Sequence, residues 1–122
     1  SIFAIDESST FIGGAILPGV RLSAKALCEH TAQLPQIDLS GRVKSVLGVT
    51  SAQSVQAGLI LGTSCAIDGM IGLFKEILGE NVTCIATGDA NEEIISHCKS
   101  NIIYEENLVL EGLRIIYNRN AK

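Results

Sequence analysis

Thr50–Gly79, TSAQSVQAGLILGTSCAIDGMIGLFKEILG, is the stretch around which the rest of the chain is organised. Thr50, Ser51 and Gln53 offer an N-cap and a polar first turn, and Gly79 supplies the stop. The spacing predicts one helix, roughly 45 Å long at the α-helical rise. Gly58, Gly62, Cys65, Gly69 and Gly72 recur every three or four residues, which puts these small residues on one face. Glycine costs about 1 kcal/mol at an interior helical position, so the pattern predicts close approach of another backbone. The other faces carry Val55, Leu59, Leu61, Ile67, Ile71, Leu73, Phe74, Ile77 and Leu78, and a helix apolar almost all round is expected to be buried. A membrane span competes with this reading. Gln53, Gln56, Asp68, Lys75 and Glu76 leave no uncharged apolar run of about 18 residues, so a core helix is expected.

The composition suits that expectation. A chain of 122 residues fits a single domain, and 47% apolar residues suffice for a core filled by Ile, Leu, Val and Ala, since Trp is absent. A net charge of −4 speaks against a basic nucleic-acid surface. The four cysteines, Cys28, Cys65, Cys84 and Cys98, show no paired spacing. Cys65 and Cys84 read as small buried hydrophobes in a reducing compartment. With no signal peptide or basic tail in view, the cytoplasm is the expected location.

From the start, Ile2–Ile5 and Thr10–Leu17 read as β-rich runs joined by the polar turn Asp6–Ser9, a hairpin. The chain opens inside its first strand without an initiator Met, which reads as a piece of something longer. Gly13-Gly14 in the second strand marks either a bulge or a ligand-facing backbone. A helix is expected from Val20 to Leu34, stopped by Pro35. A polar loop follows from Gln36 to Val49, with a short strand possible at Ile37–Leu39.

After the long helix, Asn81–Ala86 reads as a buried strand, Asn91–Lys99 as helix, Asn101–Tyr104 as strand and Leu108–Asn118 as helix. Leu110, Leu113, Ile116 and Tyr117 are expected to face inward. The order β-β-α-α-β-α-β-α is that of a mixed α/β domain. Thr87-Gly88-Asp89 stands at the carboxyl end of a strand and before a helix, where α/β folds place ligands. Cys28 with His30 and His97 with Cys98 match no usual zinc spacing, and no metal site is expected.

Together, GGAILPG (Gly13–Gly19), the AxLP of Ala32–Pro35, SAQSVQAG (Ser51–Gly58), IATG (Ile85–Gly88) and LEGLRIIYNRN (Leu110–Asn120) resemble the C-terminal half of type III pantothenate kinase. The resemblance runs through nearly the whole chain. It implies a subdomain, residues 1–122, of a longer two-subdomain kinase with the actin-like ATPase, ribonuclease H-like fold. In that fold a mixed sheet packs on helices, and the resemblance puts its central strand before Ser1. The implied reaction moves the γ-phosphoryl group of ATP to the primary hydroxyl of pantothenate, the first step of coenzyme A synthesis. Mg2+ and a monovalent cation such as K+ or NH4+ are implied, with the cation ligand before Ser1, as is a homodimer.

For this chain, the resemblance makes Thr87 and Gly88 nucleotide-binding, and the ligand-facing reading of Gly13 and Gly14 assigns them to the nucleotide too. Asp89 stands where the family commonly has a second glycine. Ser51 or Thr50 would reach the pantothenate of the other subunit, and Thr31 would face it as well; an ordinary N-cap is the competing role for Thr50 and Ser51. The catalytic aspartate, phosphate loops and cation ligand of the family precede Ser1, so no catalytic residue is expected here. Two other classes compete. One is a non-catalytic regulatory module, since some members carry a label as transcriptional accessory factors. The other is an amidohydrolase using Ser1 as an N-terminal nucleophile, which needs a base and oxyanion hole that nothing else in the sequence suggests.

Overall fold

The computed structural model describes residues 1–30, 38–39, 41–88 and 92–121. Its elements follow the expected order: β1 (Ile2–Ile5), β2 (Phe11–Ala15), α1 (Val20–His30), α2 (Ser51–Leu78), β3 (Cys84–Ala86), α3 (Glu92–Ser96), β4 (Ile102–Tyr104) and α4 (Leu108–Asn120). The chain divides into two compact units, Ser1–Thr63 and Ser64–Lys122, with α2 running through the boundary.

In the first unit the hairpin forms because Asp6 organises its turn. The Asp6 carboxylate accepts the backbone N–H of Ser8 and of Thr10, both at 2.9 Å, and the Ser8 hydroxyl at 2.7 Å. The Ser8 hydroxyl, then the Thr10 N–H, hold its carboxyl below the usual value. β1 and β2 pair antiparallel, and the register slips between Ala4 and Ile5, a bulge that gives Ile12 no partner. Gly13, next to it, has φ +140°, a conformation glycine adopts without strain. Gly14 answers a different need: a Cβ there would collide with the Ile2 carbonyl and the Phe3 ring. The Phe3 ring meets Phe11 edge to face at 5.6 Å. Among the described residues of this unit, Ala4, Val20, Ala24, Ala57, Leu59 and Ile60 are the buried apolar ones.

In the second unit β3 and β4 pair parallel, with Cys84 opposite Ile102 and Ala86 opposite Tyr104. Glu105 N–H donates to the Ala86 carbonyl at 2.8 Å and extends the ladder. The crossover between them passes through α3, as a parallel connection requires. Two polar groups of α2 fasten that crossover. The buried Ser64 hydroxyl donates to the Ile94 carbonyl at 2.7 Å. Asp68 accepts the backbone N–H of Lys99 at 2.8 Å and of Ser100 at 2.9 Å.

The helix α2 itself begins and ends as its sequence dictates. The Thr50 hydroxyl accepts the Gln53 N–H at 3.2 Å, and the Gln53 side chain takes the Val49 N–H at 3.0 Å, a capping arrangement. Gly79 closes the helix with φ +93°. By length and composition α2 is apolar enough to cross a membrane, with hydropathy 1.6, although Asp68 and Lys75 interrupt it.

Among the described residues the strands make two pairs, antiparallel β1-β2 and parallel β3-β4, the small sheets of a mixed α/β protein. Several expectations need correction. α2 is not buried all round. Ala57, Ile60, Ser64 and Ile71 form one buried stripe, with Leu59 beside it, while Leu73 and Ile77 are exposed. The glycine face lies one residue on from that stripe, and a Cβ at Gly58, Gly62, Gly69 or Gly72 would meet nothing within 4 Å. Close approach occurs instead at Gly48, where a Cβ would strike the backbone of Gln53 and Ser54. Cys65 is exposed and Cys84 half-buried. In α4, Leu110, Leu113, Ile116 and Tyr117 face outward, Tyr117 at 72% exposure. Asp38 and Leu39 are not in a strand. Leu34 and Pro35, the expected end of α1, lie outside the described residues, as does Ile37.

Candidate functional site

Parallel strands direct ligands to their carboxyl ends, because loops and helix N-termini gather there. Here those ends are Ala86-Thr87-Gly88 after β3 and Glu105-Glu106-Asn107 after β4. Gly88 has φ +113°, so the turn depends on glycine. The Tyr104 hydroxyl donates to the Gly88 carbonyl at 2.7 Å and ties the turn to β4. Beside it, Glu92, Tyr104, Glu105, Glu106 and Asn107 line a cavity of about 560 Å³. Acidic walls favour a ligand's hydroxyl and amino donors and disfavour its phosphates. A smaller cavity of about 300 Å³ lies at the amino ends of the strands, around Val82, Thr83, Ser100 and Asn101. Topology singles out the larger one.

The other sequence-predicted residues fall in the first unit. Thr50 is the N-cap of α2 and Ser51 the first helical residue, both exposed. Capping uses the Thr50 oxygen as an acceptor and leaves its proton to donate. Ser54 and Gln56 shape the loop before them: Ser54 Oγ donates to the Gly48 carbonyl at 3.2 Å, and Gln56 Nε2 to the Gly41 carbonyl at 2.8 Å. That loop leaves Val46, Leu47 and Val49 exposed. Gly13 and Gly14 sit at the hairpin bulge, where the fold already accounts for both. Thr31 and Asp89 lie outside the described residues.

Of the cysteine-histidine neighbours, His97 and Cys98 make local contacts. His97 Nε2 lies 3.1 Å from Glu93, one helical turn back. The Cys98 thiol points at the Ile94 carbonyl at 3.5 Å; burial, then the Asp68 charge, push it above the ordinary thiol range, which makes it a poor nucleophile. Among the described residues no group of three or more His, Cys, Asp or Glu could hold a metal ion.

Sequence reasoning missed Tyr104 and Asp68 as organising residues. Tyr104 read only as a strand aromatic, and its hydroxyl gains meaning only when β4 lies beside β3. Asp68 read only as a charge interrupting an apolar helix. That isolation is itself a signal, because a carboxylate amid apolar residues needs partners.

Fold and site define a mixed α/β protein with a glycine turn poised at the carboxyl end of a parallel strand pair. Comparison with known proteins gives the family. The sequence model described as type III pantothenate kinase matches residues 1–72. A type III pantothenate kinase of Rubrobacter xylanophilus is 34% identical over 126 residues, covering 99% of this chain and 48% of the relative. That of an Exiguobacterium species is 38% identical, covering 97% and 46%. That of Syntrophobacter fumaroxidans is 34% identical, with the same coverage of 97% and 46%. This chain belongs to the type III pantothenate kinase family, and it spans about half the length of the curated relatives it matches.

Proposed function

We propose that residues 1–122 are the C-terminal, actin-like ATPase subdomain of a pantothenate kinase that transfers the γ-phosphoryl group of ATP to pantothenate, giving 4′-phosphopantothenate. The observation that carries the reading is the Thr87-Gly88 turn, a positive-φ glycine at the carboxyl end of β3 in a chain of this family. In this reading Thr87 and Gly88 lie against the nucleoside, where a missing side chain lets backbone approach closely. Gly13 and Gly14, in the hairpin, are assigned to the nucleotide as well. The acidic cavity receives donor groups of the nucleoside end, and the phosphates point away from it.

Ser51, Thr50 and Thr31 contact pantothenate bound by the other subunit of a homodimer. Exposure of Thr50 and Ser51 supports that assignment, and their hydroxyls would orient the acceptor rather than react. The exposed glycine face of α2 and the exposed Val46, Leu47 and Val49 are consistent with surfaces that a second copy or the rest of the kinase covers. Mg2+, a monovalent cation and the general base belong, in this reading, to the part of the kinase that precedes these residues. We place the protein in the cytoplasm. Asp68, in the middle of α2, takes its hydrogen bonds from protein backbone, which favours a folded domain around that helix over lipid.

The test is an assay of the full-length protein with ATP, pantothenate and a monovalent cation, following phosphopantothenate by mass spectrometry. Product that requires both substrates is expected. ATP hydrolysis without product, or no turnover, overturns the reading.

A further inference from the structure

Gly88 occupies a backbone region open to glycine, φ +113°, and glycine is the residue with most conformational freedom to lose. A turn built on it would sample several orientations unless something held it. One such hold comes from the neighbouring strand. Tyr104 is the last residue of β4, in register with Ala86 at the end of β3, and the Glu105 N–H to Ala86 carbonyl bond locks that pairing at 2.8 Å. The phenol therefore springs from a fixed base, and its hydroxyl reaches the Gly88 carbonyl at 2.7 Å. The same ring forms part of the wall of the acidic cavity.

We propose that Tyr104 is a positioning residue for the nucleotide: by holding the Gly88 carbonyl it keeps the Thr87-Gly88 turn in the orientation that receives the nucleoside. This rests on the assignment of that turn to the nucleotide. Tyr104 does no chemistry. It raises the fraction of molecules whose turn is ready to bind, and apparent affinity scales with that fraction. Loss of the hydroxyl should weaken ATP binding while leaving the acceptor untouched, because its contacts lie elsewhere.

The experiment compares Tyr104→Phe with Gly88→Val in the full-length protein, measuring KM for ATP, KM for pantothenate, kcat and Tm. Tyr104→Phe should raise KM for ATP about fivefold, the weight of one neutral hydrogen bond. KM for pantothenate and kcat should each change less than about twofold. Replacing Tyr104 by 4-aminophenylalanine, which keeps a donor at the same reach, should restore KM for ATP, and this variant decides the matter should the Phe variant fold poorly. A fall in Tm with an unchanged KM for ATP makes Tyr104 merely structural and overturns the proposal, as does an equal rise in both KM values. If Gly88→Val raises KM for ATP and Tyr104→Phe does not, positioning by Tyr104 fails while the nucleotide assignment stands. If neither variant moves it, both fail.

Discussion

Asp68 and Lys99 are joined through the backbone: the carboxylate in mid-α2 accepts the Lys99 N–H at 2.8 Å, and the next N–H, of Ser100, completes the clamp. The contact fixes the segment that leads into β4, so a side chain in the long helix sets where the parallel pair begins. Burial pushes the Asp68 carboxyl up, but the Lys99 and Ser100 hydrogen bonds and the Lys99 charge outweigh it and hold the group below its ordinary 3.8. A depressed folded value means stabilisation that is complete above the unfolded value and lost as pH falls through the folded one. Wild-type protein should therefore lose part of its stability as pH falls below about 4. Asp68→Asn should lose about 1 kcal/mol at pH 7, after discounting for solvent access, and should flatten that acid limb. Urea unfolding at pH 7 and pH 3 measures both, and an unchanged acid limb in the variant would assign it to other carboxylates.

Thr50 and Ser51 should separate. Thr50→Ala removes the oxygen that accepts the Gln53 N–H and should cost about 1 kcal/mol of stability. Ser51→Ala, one residue into the helix, should leave Tm nearly unchanged. If the proposed function holds, in the full-length protein it should raise KM for pantothenate about fivefold and spare KM for ATP. Equal effects on both substrates would make Ser51 a helix residue only.

The glycines should divide by what surrounds them rather than by their shared residue type. Gly62→Ala meets nothing within 4 Å and should stabilise the 122-residue chain by up to about 1 kcal/mol through helix propensity. Gly14→Ala would drive a Cβ into the Ile2 carbonyl and Phe3, and should destabilise by about 1–3 kcal/mol. Thermal denaturation of the two variants settles the order, and a less stable Gly62→Ala would show that the glycine face is covered in solution.

α4 gives a negative control. Leu113 is 57% exposed, so Leu113→Ser in the 122-residue chain should change stability by less than about 0.5 kcal/mol. A core leucine would cost several times that on truncation. A large loss on denaturant unfolding would mean that α4 packs against something in solution.

The 122-residue chain by itself should transfer no phosphoryl group. Transfer needs donors around the β- and γ-phosphates, a metal and a base beside the acceptor. The cavity that Tyr104 shares with the Gly88 turn is lined by Glu92, Glu105 and Glu106, which supply none of these donors. Incubating the isolated chain with ATP and pantothenate tests this, and turnover by it would place catalysis inside these residues.

Much of the architecture was legible because it rests on local chemistry. The caps of α2 followed from Thr50, Gln53 and Gly79, whose side chains or φ act within one helical turn. The Asp6 turn followed from a polar run between two β-rich segments. The element order and the family resemblance needed nothing beyond spacing and residue type. The glycine pattern identifies a face of α2, but among the described residues of this chain nothing packs on it, because periodicity tells which residues share a side and not what lies opposite.

By itself the sequence determined the order and type of the eight elements, the caps of α2 and the glycine at the end of β3, since these rest on residue type and on contacts a few residues away. Only the tertiary structure decided which stripe of α2 is buried, that Asp68 clamps the start of β4, and that Tyr104 holds Gly88. Those relations join residues far apart in the chain, and they exist only where one element has been laid against another.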